Sequence, residues 1–148
     1  MYTNSNNKKY MKKTLATTVK EYNKLQTKNV KEICNVLEEN INKSLKKSES
    51  KIWHGSPVWF LDGNPIVAYS TRKDGRVSLM FFSGQSFKEK GLISEGKFKA
   101  AEVFYENVKE IKITQLKKWL KEGKDIQWDY KNIVKNKGVL TKVKVVKS

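Results

Sequence analysis

The chain has 148 residues, 31 of them Lys or Arg against 15 Asp or Glu, for a formal net charge of +16 with a single histidine and a single cysteine. This length suits one domain with one core, and no stretch approaches the roughly 20 apolar residues of a membrane span, so no membrane association is expected. The lone Cys34 excludes an internal disulfide framework and fits a reducing compartment, which points to a cytoplasmic protein.

Residues 1–13 are polar, basic and without period, and the boundary of a disordered basic arm is set at residue 16. Val19, Tyr22 and Leu25 then sit at spacing three, a short helical turn. Val30, Ile33, Cys34, Leu37, Ile41 and Leu45 recur at helical spacing with Lys and Glu between them, which predicts an amphipathic helix capped by Asn29 and ended by Ser48–Ser50. From Lys51 the pattern becomes strand-like. Ile52–His54, Val58–Leu61, Ile66–Ser70 and Arg76–Phe82 are apolar and β-prone. Gly55–Pro57, Asp62–Pro65 and Lys73–Gly75 interrupt them as turns. Strands joined so closely must be antiparallel, because a parallel pair needs a long crossover. Ser83–Gly96 reads as a polar loop and Phe98–Tyr105 as a further strand. Thr114 is the expected cap of a helix bearing Leu116, Trp119 and Leu120. Gly123 and Asp125 are read as a stop and a restart before a second piece that buries Ile126, Tyr130, Ile133 and Val134. Neither half can bury its apolar face alone. The expected fold is therefore α+β: a two-layer sandwich with an antiparallel sheet of about five strands packed by N- and C-terminal helices. The domain is bounded at residues 17–138, and 139–148 form a basic tail.

The charge is unevenly spread. Residues 1–50 hold eleven Lys against five Glu, and residues 106–148 hold twelve Lys against five acidic residues. Residues 51–105 are nearly balanced, with eight basic and five acidic. Only Arg72 and Arg76 are arginine. A lysine excess of this kind favours diffuse attraction of polyanions over bidentate reading of bases.

Catalytic signatures are lacking. His54 is the only histidine, which leaves neither a zinc ligand set nor a Ser–His–Asp arrangement with a G-x-S-x-G elbow. No phosphate-binding glycine motif of the P-loop or dinucleotide type occurs. The carboxylates at Glu38–Glu39, at Glu102, Glu106 and Glu110, and at Asp125 and Asp129 are interleaved with lysines, as on solvated helix and strand faces. Cys34 falls on the apolar face of its helix as a small core residue. No catalytic residue, metal ligand or resident cofactor is assigned. What stands out is aromatic density. Successive side chains on a strand point to opposite faces, so Trp59 and Phe60, like Phe81 and Phe82, cannot both be covered by helices. The candidate ligand or partner surface is Trp53, His54, Trp59, Tyr69, Phe82 and Gln85, for an unidentified small ligand, a nucleic-acid base or a partner protein.

Several segments resemble a known family. Trp53–His54–Gly55–Ser56–Pro57–Val58–Trp59–Phe60, Asn64–Pro65–Ile66–Val67 and Leu79–Met80–Phe81–Phe82–Ser83–Gly84–Gln85–Ser86–Phe87 are similar to the YdhG-like bacterial proteins, domain-of-unknown-function family 1801. So are Val19–Tyr22, Gly96–Glu102 and Ile126–Ile133. The resemblance spans roughly residues 17–138. It implies an antiparallel sheet packed by N- and C-terminal helices, and a non-enzymatic, chaperone-like role. In one branch that role is frataxin-like, with iron carried for cluster or haem assembly from an acidic ridge on the first helix. Here the matching helix alternates Glu32, Glu38 and Glu39 with Lys28, Lys31, Lys43, Lys46 and Lys47. Weak, non-specific nucleic-acid binding through the lysine-rich flanks is the alternative function that the charge suggests.

Overall fold

The computed structural model describes residues 16–145. The first fifteen residues of the expected basic arm, and the last three of the tail, lie outside that range. Three helices, α1 (Val19–Lys24), α2 (Lys28–Ser44) and α3 (Ile113–Asp125), accompany six strands: β1 (Glu49–Trp53), β2 (Ser56–Leu61), β3 (Asn64–Thr71), β4 (Val77–Phe81), β5 (Ile93–Ser94) and β6 (Ala101–Tyr105). The architecture is α+β with one antiparallel sheet in the order β1-β2-β3-β4-β6-β5. The sixth strand is the two-residue β5, inside the segment that composition alone marks as a polar loop.

Local chemistry accounts for the hairpins. His54 and Gly55 (φ 52° and 81°) link β1 to β2, and Asp62 and Gly63 (φ 50° and 80°) link β2 to β3. Two consecutive positive φ values match the right-handed twist of flanking strands, and Gly adopts them without a Cβ penalty. Between β3 and β4, the Arg72 N–H donates to the Arg76 carbonyl (2.8 Å) and the Gly75 N–H to the Arg72 carbonyl (3.0 Å).

α1 starts with a capping box that the sequence reading did not single out. The Thr18 hydroxyl accepts from the Glu21 N–H (3.1 Å), and the Glu21 carboxylate accepts from the Thr18 N–H (3.1 Å). α2 begins at Lys28 with Thr27 as its N-cap, so Asn29 is not the cap. Its amide instead donates to the Glu106 carbonyl (2.7 Å), tying α2 to the chain after β6. α3 begins after its N-cap Lys112, two residues ahead of the expected cap at Thr114, which lies inside the helix.

Gly123, read as a stop, lies inside α3. A Cβ there would stand 3.2 Å from Ile66 Cγ2 and 3.5 Å from Phe81 Cδ1, so the glycine lets α3 press closely on β3 and β4. The chain leaves the helix at Ile126, whose φ of −118° and ψ of 109° are extended. The second helical piece does not form. Residues 131–138 make successive turns and Val134 is 89% exposed. Past that point the Asp129 N–H donates to the Thr141 carbonyl (2.8 Å) and the Val143 N–H to the Gln127 carbonyl (2.8 Å). Pairing thus continues beyond residue 138.

The core lies between the helices and one face of the sheet. Ile33, Cys34, Leu37 and Ile41 of α2 and Leu116, Trp119 and Leu120 of α3 pack against Trp59, Val67, Tyr69, Leu79 and Phe81. Alternation places Val58, Phe60 and Ala68 on the opposite face, where they form a separate small cluster with Phe82.

Candidate functional site

That second face carries no helix among the described residues. One row of cross-strand partners runs along it: Lys51 opposite Val58, Val58 opposite Ala68, Ala68 opposite Met80, Met80 opposite Glu102, and Glu102 opposite Ile93. The next row pairs Ser70 with Ser78 and Ser78 with Phe104. Ala68, Ser70 and Ser78 are short side chains on the two central strands, whereas Trp53, Met80, Phe82 and Arg72 around them are long. The face is therefore hollowed, with a concavity of about 340 Å³. Its floor is Val58, Ala68 and Met80, and Trp53, His54 and Phe82 form one side. A second hollow of about 180 Å³ shares Met80, Phe82 and Glu95 with the first and continues it toward Phe98 and Tyr130.

The aromatic side is a contiguous cluster. Trp53 meets His54 at a tilt (ring centroids 4.4 Å, interplanar angle 51°), meets Phe60 edge-on (5.6 Å) and approaches Phe82 (6.4 Å), and Phe82 in turn meets Tyr130 (5.4 Å). Such offset and edge-to-face pairs hold the rings in fixed relative positions. The polar end is built on Glu102, only 7% exposed. Its Oε1 accepts from the Ser78 hydroxyl (2.6 Å) and from Arg72 Nη2 (2.8 Å). A buried carboxylate requires this kind of compensation, and the charge-assisted bonds fix its orientation. Arg72 and Arg76, the chain's only two arginines, both lie over the Phe104 ring, at 5.4 and 4.1 Å from its centroid.

Of the six side chains expected to form the surface, Trp53, His54 and Phe82 line the hollow. Tyr69 borders it on β3, but its side chain serves the core. Its ring is buried among the helices, and its hydroxyl donates to Asn23 Oδ1 (2.6 Å). Burial pushes the Tyr69 hydroxyl pKa strongly upward, with the Cys34, Glu38 and Tyr22 side chains nearby adding to it. Trp59 is not at the hollow either. It is fully buried on the helix side, where Nε1 donates to Asn42 Oδ1 (2.8 Å). Gln85 is exposed on the loop after β4, and its amide donates to the Ala100 carbonyl (2.9 Å). Sequence reasoning missed Arg72, Ser78 and Glu102. The available signal was that the only two arginines bracket one hairpin turn, in a chain whose other basic residues are all lysine.

Other conspicuous residues hold the fold together. Asn64 donates to Gln127 Oε1 (3.1 Å) and to the Trp128 carbonyl (3.0 Å), and accepts from the Lys131 N–H (3.0 Å). Ser83 accepts from the Trp128 N–H (2.9 Å) and Ser86 from the Trp128 indole (2.9 Å). These three residues clamp the segment after α3 to the sheet edge.

The donor set does not fit iron. Among the described residues, no three His, Cys, Asp or Glu side chains group as a metal site. On α2, Glu38 Oε1 is taken by Asn23 (3.0 Å) and Lys20 (3.3 Å), and Glu39 is paired with Lys43 (3.3 Å). Cys34 is buried, and burial pushes its thiol up to about 12, so it supplies no thiolate at neutral pH. No helix among the described residues is long and apolar enough to cross a membrane. The chain matches no protein-family model, no curated protein and no solved structure.

Proposed function

We propose that this chain is a non-enzymatic, cytosolic binding domain of YdhG-like type whose working surface is the open face of the sheet. The observation behind this reading is the hollow of about 340 Å³. It is apolar at its floor, walled by a fixed aromatic cluster and closed at one end by the Arg72–Glu102–Ser78 network. A volume near the lower end of small-molecule sites, about 300–1,000 Å³, with a few convergent polar groups, suits one small ligand or one inserted side group of a partner. His54 stands at a hairpin turn with its ring tilted against Trp53, an arrangement suited to a binding wall.

Iron delivery, which the family resemblance implies, finds no such support in the lysine-paired carboxylates of α2.

An amide-resolved NMR screen of uncharged aromatic fragments tests the reading. Hits are expected to shift Val58, Ala68, Ser78, Met80 and Glu102 together. Fragments that scatter over the helices, or fail to bind at all, would overturn it.

A further inference from the structure

The chemistry lining the hollow narrows what it takes. Its inner end is rich in acceptors. Glu102 Oε1 is occupied by Ser78 and Arg72, whereas no donor among the described residues reaches Oε2. Ser78 gives its proton to Glu102, which leaves its own oxygen lone pairs as acceptors, and Glu95 lies on the same lining. Oε2 is not a buried orphan but reaches solvent, so an arriving ligand N–H takes the place of water there. The side wall is aromatic, and Trp53 is 40% exposed with ring surface available for stacking. The rim is different again. Arg72 and Arg76 are engaged by Glu102 and Asp74, but Lys51 and Lys97 have no carboxylate partner among the described residues. Lys51 lies over Phe60 (4.7 Å) opposite Val58 of the first hollow's floor, and Lys97, over Phe98 (5.7 Å), lines the second. A planar body carrying N–H donors at one end and an anionic group at the other satisfies all three features. A simple organic cation meets the first two but is repelled by the rim and by a chain of net charge +16.

We infer that the hollow binds a nucleobase bearing an exocyclic amino group, stacked beside Trp53 with its amino edge toward Glu102 and Ser78, and with its phosphate at the lysine rim. This inference rests on the reading of the open face as a ligand site. Carboxylates accept from the amino groups of bases, and base–aromatic stacking tolerates any ring. The base can arrive as a free nucleotide or within a single strand; the shared chemistry is base plus phosphate.

The test is an amide-resolved NMR titration of the full chain with AMP, CMP, GMP, UMP, ribose 5-phosphate, benzamidine and single-stranded nonanucleotides. AMP, CMP or GMP should shift Ser78, Met80, Phe82 and Glu102. UMP, which offers two carbonyls and one N–H, should bind about tenfold more weakly. Trp53→Ala should weaken binding about tenfold, with its urea midpoint retained as a check on folding. The same shifts from nonanucleotides alone would identify the strand as the source. Ribose 5-phosphate or benzamidine binding as tightly as AMP would overturn the inference, as would shifts confined to the lysine-rich flanks. If nucleotides fail while aromatic fragments still shift the face, only the nucleobase assignment falls. If both fail, the open-face reading falls with it.

Discussion

Trp53 and Trp59 are six residues apart on adjacent strands, and their replacement separates core from surface. Trp59 is 0% exposed, packs on Tyr69 with ring centroids 5.5 Å apart, and donates its indole N–H to Asn42. Trp59→Ala removes a fully buried ring between sheet and α2 and leaves Asn42 without that partner. Large aromatic-to-alanine changes in cores cost about 3–5 kcal/mol, from lost transfer free energy and the cavity left behind. Trp53 is 40% exposed at the rim, and its replacement forfeits only part of its contacts with Phe60 and Phe82, about 1 kcal/mol. With a urea m-value of about 2 kcal/mol/M for a domain of this size, Trp59→Ala should lower the unfolding midpoint by about 1.5–2.5 M, and Trp53→Ala by about 0.5 M. Urea titration followed by far-ultraviolet circular dichroism measures both. Equal midpoint shifts, or a larger one for Trp53→Ala, would refute the division of the sheet into a covered and an open face.

Asn64→Ala should release the segment after α3, because three hydrogen bonds to Gln127, Trp128 and Lys131 go together. The Lys131 amide should then exchange with solvent much faster than in the parent, while core strand amides do not change. Arg72→Ala leaves Glu102 with Ser78 alone; as Arg72 is itself nearly half exposed, the cost should be about 1 kcal/mol and shrink at high salt. A salt-independent loss of several kcal/mol would contradict this.

Alkaline pH should destabilise the chain. Burial pushes the Cys34 thiol up to about 12 and raises the hydroxyl pKa of Tyr22, Tyr69 and Tyr105. Above pH 9 the unfolded chain therefore loses protons that the folded chain keeps, and the linkage lowers stability as pH rises. Tyrosinate absorbance at 295 nm should accordingly show a group of tyrosines that ionise only on unfolding. Full ionisation near pH 10 without unfolding would refute their burial.

Much of the fold was legible from local chemistry. The Asp62–Gly63 turn and the Lys73–Asp74–Gly75 turn announce hairpins because only certain residues accept positive φ, and the period of α2 states which of its faces is apolar. The α+β class and antiparallel pairing follow from those signals. The second helix after Gly123 did not follow, since Ile126, Tyr130 and Ile133 have helical spacing but their segment is held by side chains remote in sequence, Asn64, Ser83 and Ser86. Aromatic density located the central strands, and alternation required that some rings leave the core. Which ring of each pair does so depends on register. Register is decided by where the helices lie, because shifting a strand by one residue exchanges its two faces. Hence Trp59 and Tyr69 are core while Trp53 and Phe82 face the hollow. Composition and spacing thus determined that this chain forms an antiparallel sheet with one helix-covered face. Only tertiary packing set Arg72, Ser78 and Glu102 together at the end of that hollow: they come from the turn after β3, from β4 and from β6, and no spacing along the chain encodes a contact made across them.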